Sequence, residues 1–318
     1  MRIDVIVNST ARRYERAPSL VEQLRAAARG RAVFHATRDL DELASVCAEA
    51  ASAGSELLVL TGGDGSLMAG TTAVARAFGE RLPRIGFLPA GTAAVVSKNW
   101  GIRGEPVALL DRILTRGRAL ATITTPTLRV RSQGPLGPEE RVGFIFGTGL
   151  VAKFFDVYYE DGARGNAGAA RIVARIFVES FFGGKYARRV LDPLPCSIEV
   201  DGKKLRPDAF SLVCAAVVRD LGLHMIVTHR AAEDPARPHL VVNALPSRRL
   251  GWRMPFVLAG KPIGGEHAFD GLASSFEVRF SDPMTGSVAA GPYVLDGDIF
   301  KAQSVSVSAG PTLSVVKP

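Results

Sequence analysis

Cysteine is scarce in this 318-residue sequence: Cys47, Cys196 and Cys214 are odd in number, far apart and never in CxxC spacing. That pattern leaves neither a disulfide framework nor a thiolate zinc site, and three buried thiols are the simplest expectation. Long apolar runs are also lacking. The longest, Leu212 to Val218, is far short of the roughly 20 residues that cross a bilayer, and Met1-Arg2-Ile3-Asp4 has no charged-then-apolar signal layout. A soluble cytoplasmic protein is expected. The 33 Gly and 19 Pro follow no period, and there is no internal repeat or low-complexity tract beyond the Arg/Pro-rich loop Arg230 to Pro238, so collagen, coiled coil and disorder are excluded. Hydrophobic residues make up 47% and charged residues 22%, a globular composition, and at about 100 to 200 residues per domain the length suggests two domains or one large one.

Familiar phosphate-binding signatures are missing as well. Gly184-Lys185 leads to Tyr186, so no GxxxxGK[ST] exists, and without HRD or DFG a P-loop NTPase and a protein-kinase fold are both excluded. Gly147-Thr148-Gly149-Leu150-Val151-Ala152 fits a dinucleotide fingerprint but has no acidic residue at the required distance downstream. His224 and His229 lack helical ligand spacing, so no metal is expected of them. What is present is positive charge: 39 Lys+Arg against 31 Asp+Glu give +8. This favours polyanions, either nucleic acid or an anionic membrane surface, and no nucleic-acid-binding module is recognisable.

The first 120 or so residues alternate strand and helix signals. Ile3 to Val7, Ala32 to Phe34, Leu57 to Leu60 and Ile85 to Leu88 are apolar runs, separated by helical patterns over Pro18 to Arg29, Asp39 to Ala53 and Leu67 to Phe78. Such a rhythm predicts a parallel sheet covered by helices, with ligand-binding loops at the strand C-termini. From about Ala121 the texture becomes antiparallel β. Alternating segments such as Thr122 to Val130, Val142 to Phe146, Cys196 to Val200 and Phe276 to Phe280 are divided by turn signals including Asp282-Pro283 and Asp296-Gly297. One helix, Ala167 to Phe182, is expected to interrupt them. The fold class is therefore α/β plus β, with an α/β nucleotide domain over 1–122 and a β-rich domain over 123–318.

The strongest local signal is Gly62-Gly63-Asp64-Gly65 between a buried strand and a helix. Glycines there let backbone N–H groups approach phosphate, the helix N-terminus adds its positive end, and a carboxylate can orient a nucleotide or hydroxyl. Gly91-Thr92 follows the next strand in the same way, and two such loops would converge on one crevice.

At these residues the chain resembles a family. Gly62-Gly63-Asp64-Gly65-Ser66, then Ile85-Gly86-Phe87-Leu88-Pro89-Ala90-Gly91-Thr92 and Trp100-Gly101-Ile102, are similar to the GGDGT and PLGTGNDFARSLGI segments of diacylglycerol kinases and their sphingosine, ceramide and bacterial lipid kinase relatives. Val7-Asn8-Ser9 occupies the place of that family's Asn-Pro pair, and Leu295-Asp296-Gly297-Asp298 resembles its Asp-Gly-Glu segment. The GGDG element is shared with NAD kinases and 6-phosphofructokinases. The resemblance implies an N-terminal NAD kinase/diacylglycerol kinase-like nucleotide domain and a C-terminal lipid-substrate domain whose end returns toward an inter-domain crevice. It implies ATP and Mg²⁺ as cofactors, with ATP held by Asn8, Thr61, Gly62, Gly63, Asp64, Gly65, Ser66, Gly91, Thr92 and Asp298. Asp64 and Asp296 are then the catalytic carboxylates, Asp296 as the base that deprotonates a lipid hydroxyl. The implied acceptor is a diacylglycerol, ceramide or sphingoid lipid at an anionic membrane surface, reached peripherally from the cytoplasm; an oligomer is possible and no nucleic acid is expected.

Ala93, Ala94 and Val95 stand where the family carries a polar triplet, leaving Ser97, Lys98 and Asn99 as the nearest polar groups, and Ala69 stands where many members carry Glu. These departures support a second reading, a lipid-binding pseudokinase; an NAD kinase-like enzyme is a third. Lys185, Arg188 and Arg189 after a helix bearing Phe177, Phe181 and Phe182 suit a lipid-facing surface or a solvated helix end. Phe154, Phe155, Tyr158 and Tyr159 suit an acyl pocket or plain core.

Overall fold

The computed structural model describes residues 1–91, 93–135, 137–163 and 165–318, with Arg12 described by its backbone alone. Thr92 thus lies outside the described residues. The chain divides into two compact units, Met1–Thr127 with Pro311–Pro318, and Leu128–Gly310.

In the first unit β1 (Ile3–Asn8), α1 (Arg12–Arg16), α2 (Pro18–Ala28), β2 (Val33–Thr37), α3 (Leu40–Ser52), β3 (Leu57–Gly62), α4 (Asp64–Phe78), β4 (Arg84–Pro89), α5 (Val95–Asn99), α6 (Pro106–Arg116) and β5 (Thr122–Thr125) follow in order. The sheet runs β2-β1-β3-β4, then the strand Leu313–Val316, then β5. The first four strands are mutually parallel. β3 is buried along its whole length, as expected of a strand covered on both faces, and α3 packs on α4 while α2 packs on α6. α3 starts where it does because the Asp39 carboxylate caps it, accepting from the Glu42 N–H at 2.8 Å. β1 feeds β2 on one side while β3 lies on its other side, so the strand order reverses there, which is where open α/β sheets form ligand crevices.

The division differs from a boundary at 122/123. β5 and the chain end belong to the first sheet: Leu313–Val316 pairs antiparallel with Thr122–Thr125 and parallel with β4 at Val315↔Ile85. A short apolar segment such as Leu313–Val316 satisfies its backbone equally well in either kind of sheet, so its sequence carries no mark of its destination.

Asp4 anchors the start of β1. Its fully buried carboxylate accepts from Arg2 Nε at 3.0 Å and Ser55 Oγ at 2.7 Å and lies 2.8 Å from His35 Nε2. Burial by itself would push this carboxyl up, but the bonds from Arg2, His35 and Ser55 and the Arg2 charge outweigh it and hold it below its ordinary value. A depressed folded-state value means the stabilisation is present above the unfolded carboxyl range near ~4 and is lost as pH falls through the folded value. Asp4→Asn is expected to cost about 1–3 kcal/mol at pH 7 and to weaken the dependence of stability on acid. Urea unfolding at neutral pH and at pH ~3 checks it, and a variant as stable and as acid-sensitive as the wild type would refute the assignment.

The second unit is antiparallel. One sheet orders Lys203–Lys204, Leu194–Val200, Ser275–Phe280, Ser304–Ala309, Leu128–Gly134 and Gly137–Gly143, with Ala209–Phe210 pairing on Leu194–Pro195. The other orders Phe269–Leu272, His239–Asn243, Leu212–Ala216, Ile145–Gly149, Gly291–Leu295 and Asp298–Ala302. Helices are more numerous than the single one expected: Leu150–Glu160, Gly165–Phe182, Lys185–Leu191, Ser247–Gly251 and Met254–Leu258. The aromatic run in Leu150–Glu160 favours strand by propensity, yet Val157 joins Ile172, Ile176, Val190 and Leu191 in one buried cluster against Leu212, Cys214 and Val241 of the sheet. Tertiary burial of a helical stripe overrides local preference there. The three cysteines are free and buried, each thiol pushed up to about 12, foremost by burial, so they are inert. Among the described residues no helix is long and apolar enough to cross a membrane.

Candidate active site

The glycine-rich loop leaves β3 and enters α4 with no intervening linker, so Gly62 and Gly63 must turn the chain by themselves. Gly62 has φ +148°, and a Cβ there would lie 2.4 Å from Ser66 Cβ, which only glycine avoids. The Gly62 carbonyl accepts from the backbone N–H of Ala90 at 2.7 Å and of Gly91 at 3.1 Å. At Gly91 a Cβ would come within 2.5 Å of Gly63 Cα. The two loops after β3 and β4 therefore touch backbone to backbone, the convergence that their matching positions suggest.

Asp64 is the first residue of α4. It receives the Val95 N–H on Oδ2 at 2.9 Å and the Val96 N–H on Oδ1 at 3.1 Å. Burial pushes this carboxyl above its ordinary value, against the lowering effect of those two bonds and of the Lys98 charge. Asp64 thus fastens the start of α5 to the glycine-rich loop. Ala94, which precedes α5, sits at φ +47°, ψ +49°, a left-handed conformation that an alanine rarely adopts. The Asp64 clamp on the next two residues is what holds it there.

A cavity of about 240 Å³ opens beside these loops at the strand C-termini, lined by Asn8, Thr37, Arg38, Asp39, Thr61 and Ser66 among others. Asn8 donates through Nδ2 to Ser66 Oγ at 3.1 Å and accepts on Oδ1 from the Thr10 hydroxyl at 2.8 Å. Thr61 Oγ1 is in hydrogen-bond contact with the buried Tyr14 hydroxyl. Asn8, Thr61 and Ser66, three of the residues singled out in sequence, therefore line one space. Gly62, Gly63, Asp64, Gly65 and Gly91 form the loops next to it. Thr37, Arg38, Asp39 and Tyr14 were not anticipated; a signal exists for the first three, since they sit where β2 ends and α3 begins, on the sheet edge where such ligands bind. Ala69 also faces the cavity, leaving α4 without a carboxylate there.

Asp296 and Asp298 belong to the second unit. Asp296-Gly297 is a tight hairpin turn with φ +50° and +92°, the left-handed pair that Asp-Gly favours. Its carboxylate is buried, taking the Phe144 N–H on Oδ2 at 3.0 Å and the Ile145 N–H on Oδ1 at 2.9 Å. Tyr159 donates its hydroxyl to the Gly297 carbonyl at 3.0 Å, and the Phe155 ring lies against the same glycine. Asp298 is exposed at the start of the returning strand. The Gly147–Ala152 fingerprint lies on a strand paired antiparallel on both sides, which is not the parallel βαβ unit a dinucleotide site requires.

These loops and this cavity lie together at the C-terminal ends of the parallel strands, where open α/β sheets form ligand crevices. Residues 2–124 match the diacylglycerol kinase catalytic domain, a family for which nucleotide use is implied. Over the full length the fold is similar to solved structures from Bacillus anthracis str. Sterne. One, described as “a putative diacylglycerol kinase”, aligns with TM-score 0.68 at 16% identity, covering 100% of this chain and 97% of that one. Another, described as a diacylglycerol kinase, gives TM-score 0.61 at 14% identity with coverage of 100% and 97%. The likeness at this identity is one of fold. Curated proteins give no significant match.

Proposed function

We propose that the protein is an ATP-dependent lipid kinase that transfers the γ-phosphoryl group to the hydroxyl of a diacylglycerol, ceramide or sphingoid lipid at an anionic membrane surface. The observation that carries this reading is the backbone contact of the Gly62-Gly63 and Ala90-Gly91 loops beside the cavity holding Asn8, Thr61 and Ser66. A nucleotide fits the chemistry of that place: glycines at which a Cβ would collide, backbone N–H groups at the N-terminus of α4, and neutral polar side chains on the cavity wall. ATP with its Mg²⁺ supplies the phosphoryl group and neutralises charge on it. Gly63 and Gly65 offer backbone donors to phosphate, Asn8, Thr61 and Ser66 hydrogen-bond the nucleotide, and Asp64 positions the second loop. Asp296 accepts the proton of the lipid hydroxyl as its oxygen forms the new bond to phosphorus and ADP leaves. Asp298, two residues on, is the further polar group assigned to the nucleotide in this reading.

A pseudokinase is the second reading, favoured by the apolar Ala93-Ala94-Val95 and by an Asp64 whose two oxygens already hold backbone N–H groups. Calorimetric titration with ATP and Mg²⁺ separates the two: the kinase reading expects saturable binding, and a folded protein with no heat of binding favours the pseudokinase.

A lipid surface is supported by where the apolar residues lie. Val178 and Phe182 of helix Gly165–Phe182 are 56% and 81% exposed, and Trp252 is 65% exposed, its ring edge-on to Phe181 at 4.7 Å. Arg248 and Arg249 are exposed on the neighbouring helix. Aromatic side chains interleaved with arginine suit an anionic interface. Arg188 and Arg189, basic candidates from the sequence, instead pair with Asp192 at 3.6 Å and Glu160 at 2.5 Å. Phe182→Ser with Trp252→Ser is expected to weaken partitioning onto phosphatidylserine vesicles by at least about tenfold, since burying each ring is worth about 1.5–3 kcal/mol. Co-sedimentation measures it, and unchanged partitioning of the double variant would remove this surface.

A further inference from the structure

The connection from Leu212–Ala216 to His239–Asn243, residues 217–238, contains no helix or strand. Irregular segments longer than about 12–15 residues are uncommon in a compact domain unless something fastens them. Near its end His229 meets two side chains of the sheet. His239 is the first residue of its strand and fully buried; Asp270 lies on the adjacent strand Phe269–Leu272. One ligand atom from each of the three lies within 4.8 Å of the other two. His239 Nε2 is 2.8 Å and His229 Nε2 4.0 Å from Asp270 Oδ1, and the two rings stand edge to face at 4.8 Å.

Hydrogen bonding inside this cluster is incomplete. His229 Nδ1 and Asp270 Oδ2 are both buried without a hydrogen-bond partner. Buried polar atoms are nearly always satisfied, and the orphaned Asp270 oxygen beside two imidazoles calls for a ligand. Two imidazoles and one carboxylate are the donor set of a borderline transition-metal ion, not of Mg²⁺ or Ca²⁺, which take oxygen.

We propose that His229, His239 and Asp270 bind a divalent transition-metal ion, Zn²⁺ by donor type, which fastens the 217–238 connection to the sheet. Bonds of about 2.0–2.1 Å to tetrahedral Zn²⁺ place ligand atoms about 3.3 Å apart. The His239–Asp270 pair therefore opens slightly, and His229, in a set that spans up to 4.8 Å, closes in by as much as about 1.5 Å. Asp270 Oδ2 gains its missing partner by turning toward the ion. The fourth position falls to water, since His229 and Asp270 keep some solvent access. The Arg230 N–H points at His239 Nδ1 at 3.4 Å, placing the ring proton on Nε2 toward Asp270. Metal loading moves that proton to Nδ1 and gives up this contact, which is long for a hydrogen bond. The site is independent of the kinase reading, lying wholly among residues of the second unit.

The test uses tag-free full-length protein stripped with chelator, then dialysed against Zn²⁺ or Co²⁺ alone. The expected result is one bound ion per chain by elemental analysis, a visible Co²⁺ absorption of tetrahedral type, and a raised unfolding temperature. Asp270→Asn and His229→Gln keep size and hydrogen-bonding capacity and are expected to lower affinity by about 10- to 100-fold or more. Folding of each variant is checked by circular dichroism. Folded wild type that retains no Zn²⁺, or variants that bind it like the wild type, would overturn the proposal whatever the outcome of any kinase assay.

Discussion

Asp296→Asn is expected to lower kcat for lipid phosphorylation by about 10²–10⁴-fold, the range for loss of a positioned general base, while leaving the KM for ATP and the fold unchanged. The turn itself tolerates the change. Asparagine accepts a left-handed φ such as the +50° found here, and its carbonyl oxygen still receives N–H groups from Phe144 and Ile145, which bond the carboxylate at 2.9–3.2 Å. Only the ability to take a proton is removed. Full turnover in a variant with native circular dichroism would exclude Asp296 as the base, whereas loss of turnover with an altered fold would instead point to its structural bonds.

Gly91→Ala is expected to weaken ATP binding by about 10- to 100-fold, because overpacking of about 1–3 kcal/mol falls directly on the contact between the two loops. The new Cβ would meet Gly63 Cα at 2.5 Å, and backbone cannot rotate away as a side chain can. Relief requires the loops to part, breaking the bonds from Ala90 and Gly91 to the Gly62 carbonyl. Gly54→Ala provides the control: Gly54 has φ +68° and nothing within 4 Å of a Cβ, so it loses stability by about 1 kcal/mol with no change in ATP affinity. Calorimetry on both variants distinguishes local loop damage from general destabilisation. An unchanged ATP affinity in folded Gly91→Ala would mean the touching loops are not the phosphate site.

Much of the first unit is legible in the sequence because parallel strands buried on both faces read as continuous apolar runs. Leu57 to Leu60 followed by Gly-Gly-Asp-Gly leaves little alternative to strand, loop and helix, and the equivalent position of Gly91 after the next strand indicates that the loops meet. The cavity wall is less legible. Thr37, Arg38 and Asp39 look like an ordinary strand end and helix cap, and Tyr14 reaches Thr61 from a helix with no motif. Asp296-Gly297 reads as a hairpin turn and is one; that its carboxylate turns inward onto Phe144 and Ile145 depends on a strand 151 residues earlier in sequence. The return of Leu313–Val316 to the first sheet is a matter of topology, which four residues, Leu-Ser-Val-Val, do not encode locally. Helical spacing tested on His224 and His229 misses the His229–His239–Asp270 cluster for the same reason: its three members come from a loop and two paired strands, so only the folded sheet brings them together.

Transfer of radiolabel from [γ-³²P]ATP with Mg²⁺, in mixed micelles offering diacylglycerol, ceramide and a sphingoid base and with NAD in parallel, tests the proposed activity most directly. A labelled lipid is the predicted result, and its identity names the acceptor. Folded protein that labels no lipid, or that labels NAD instead, would contradict the lipid kinase.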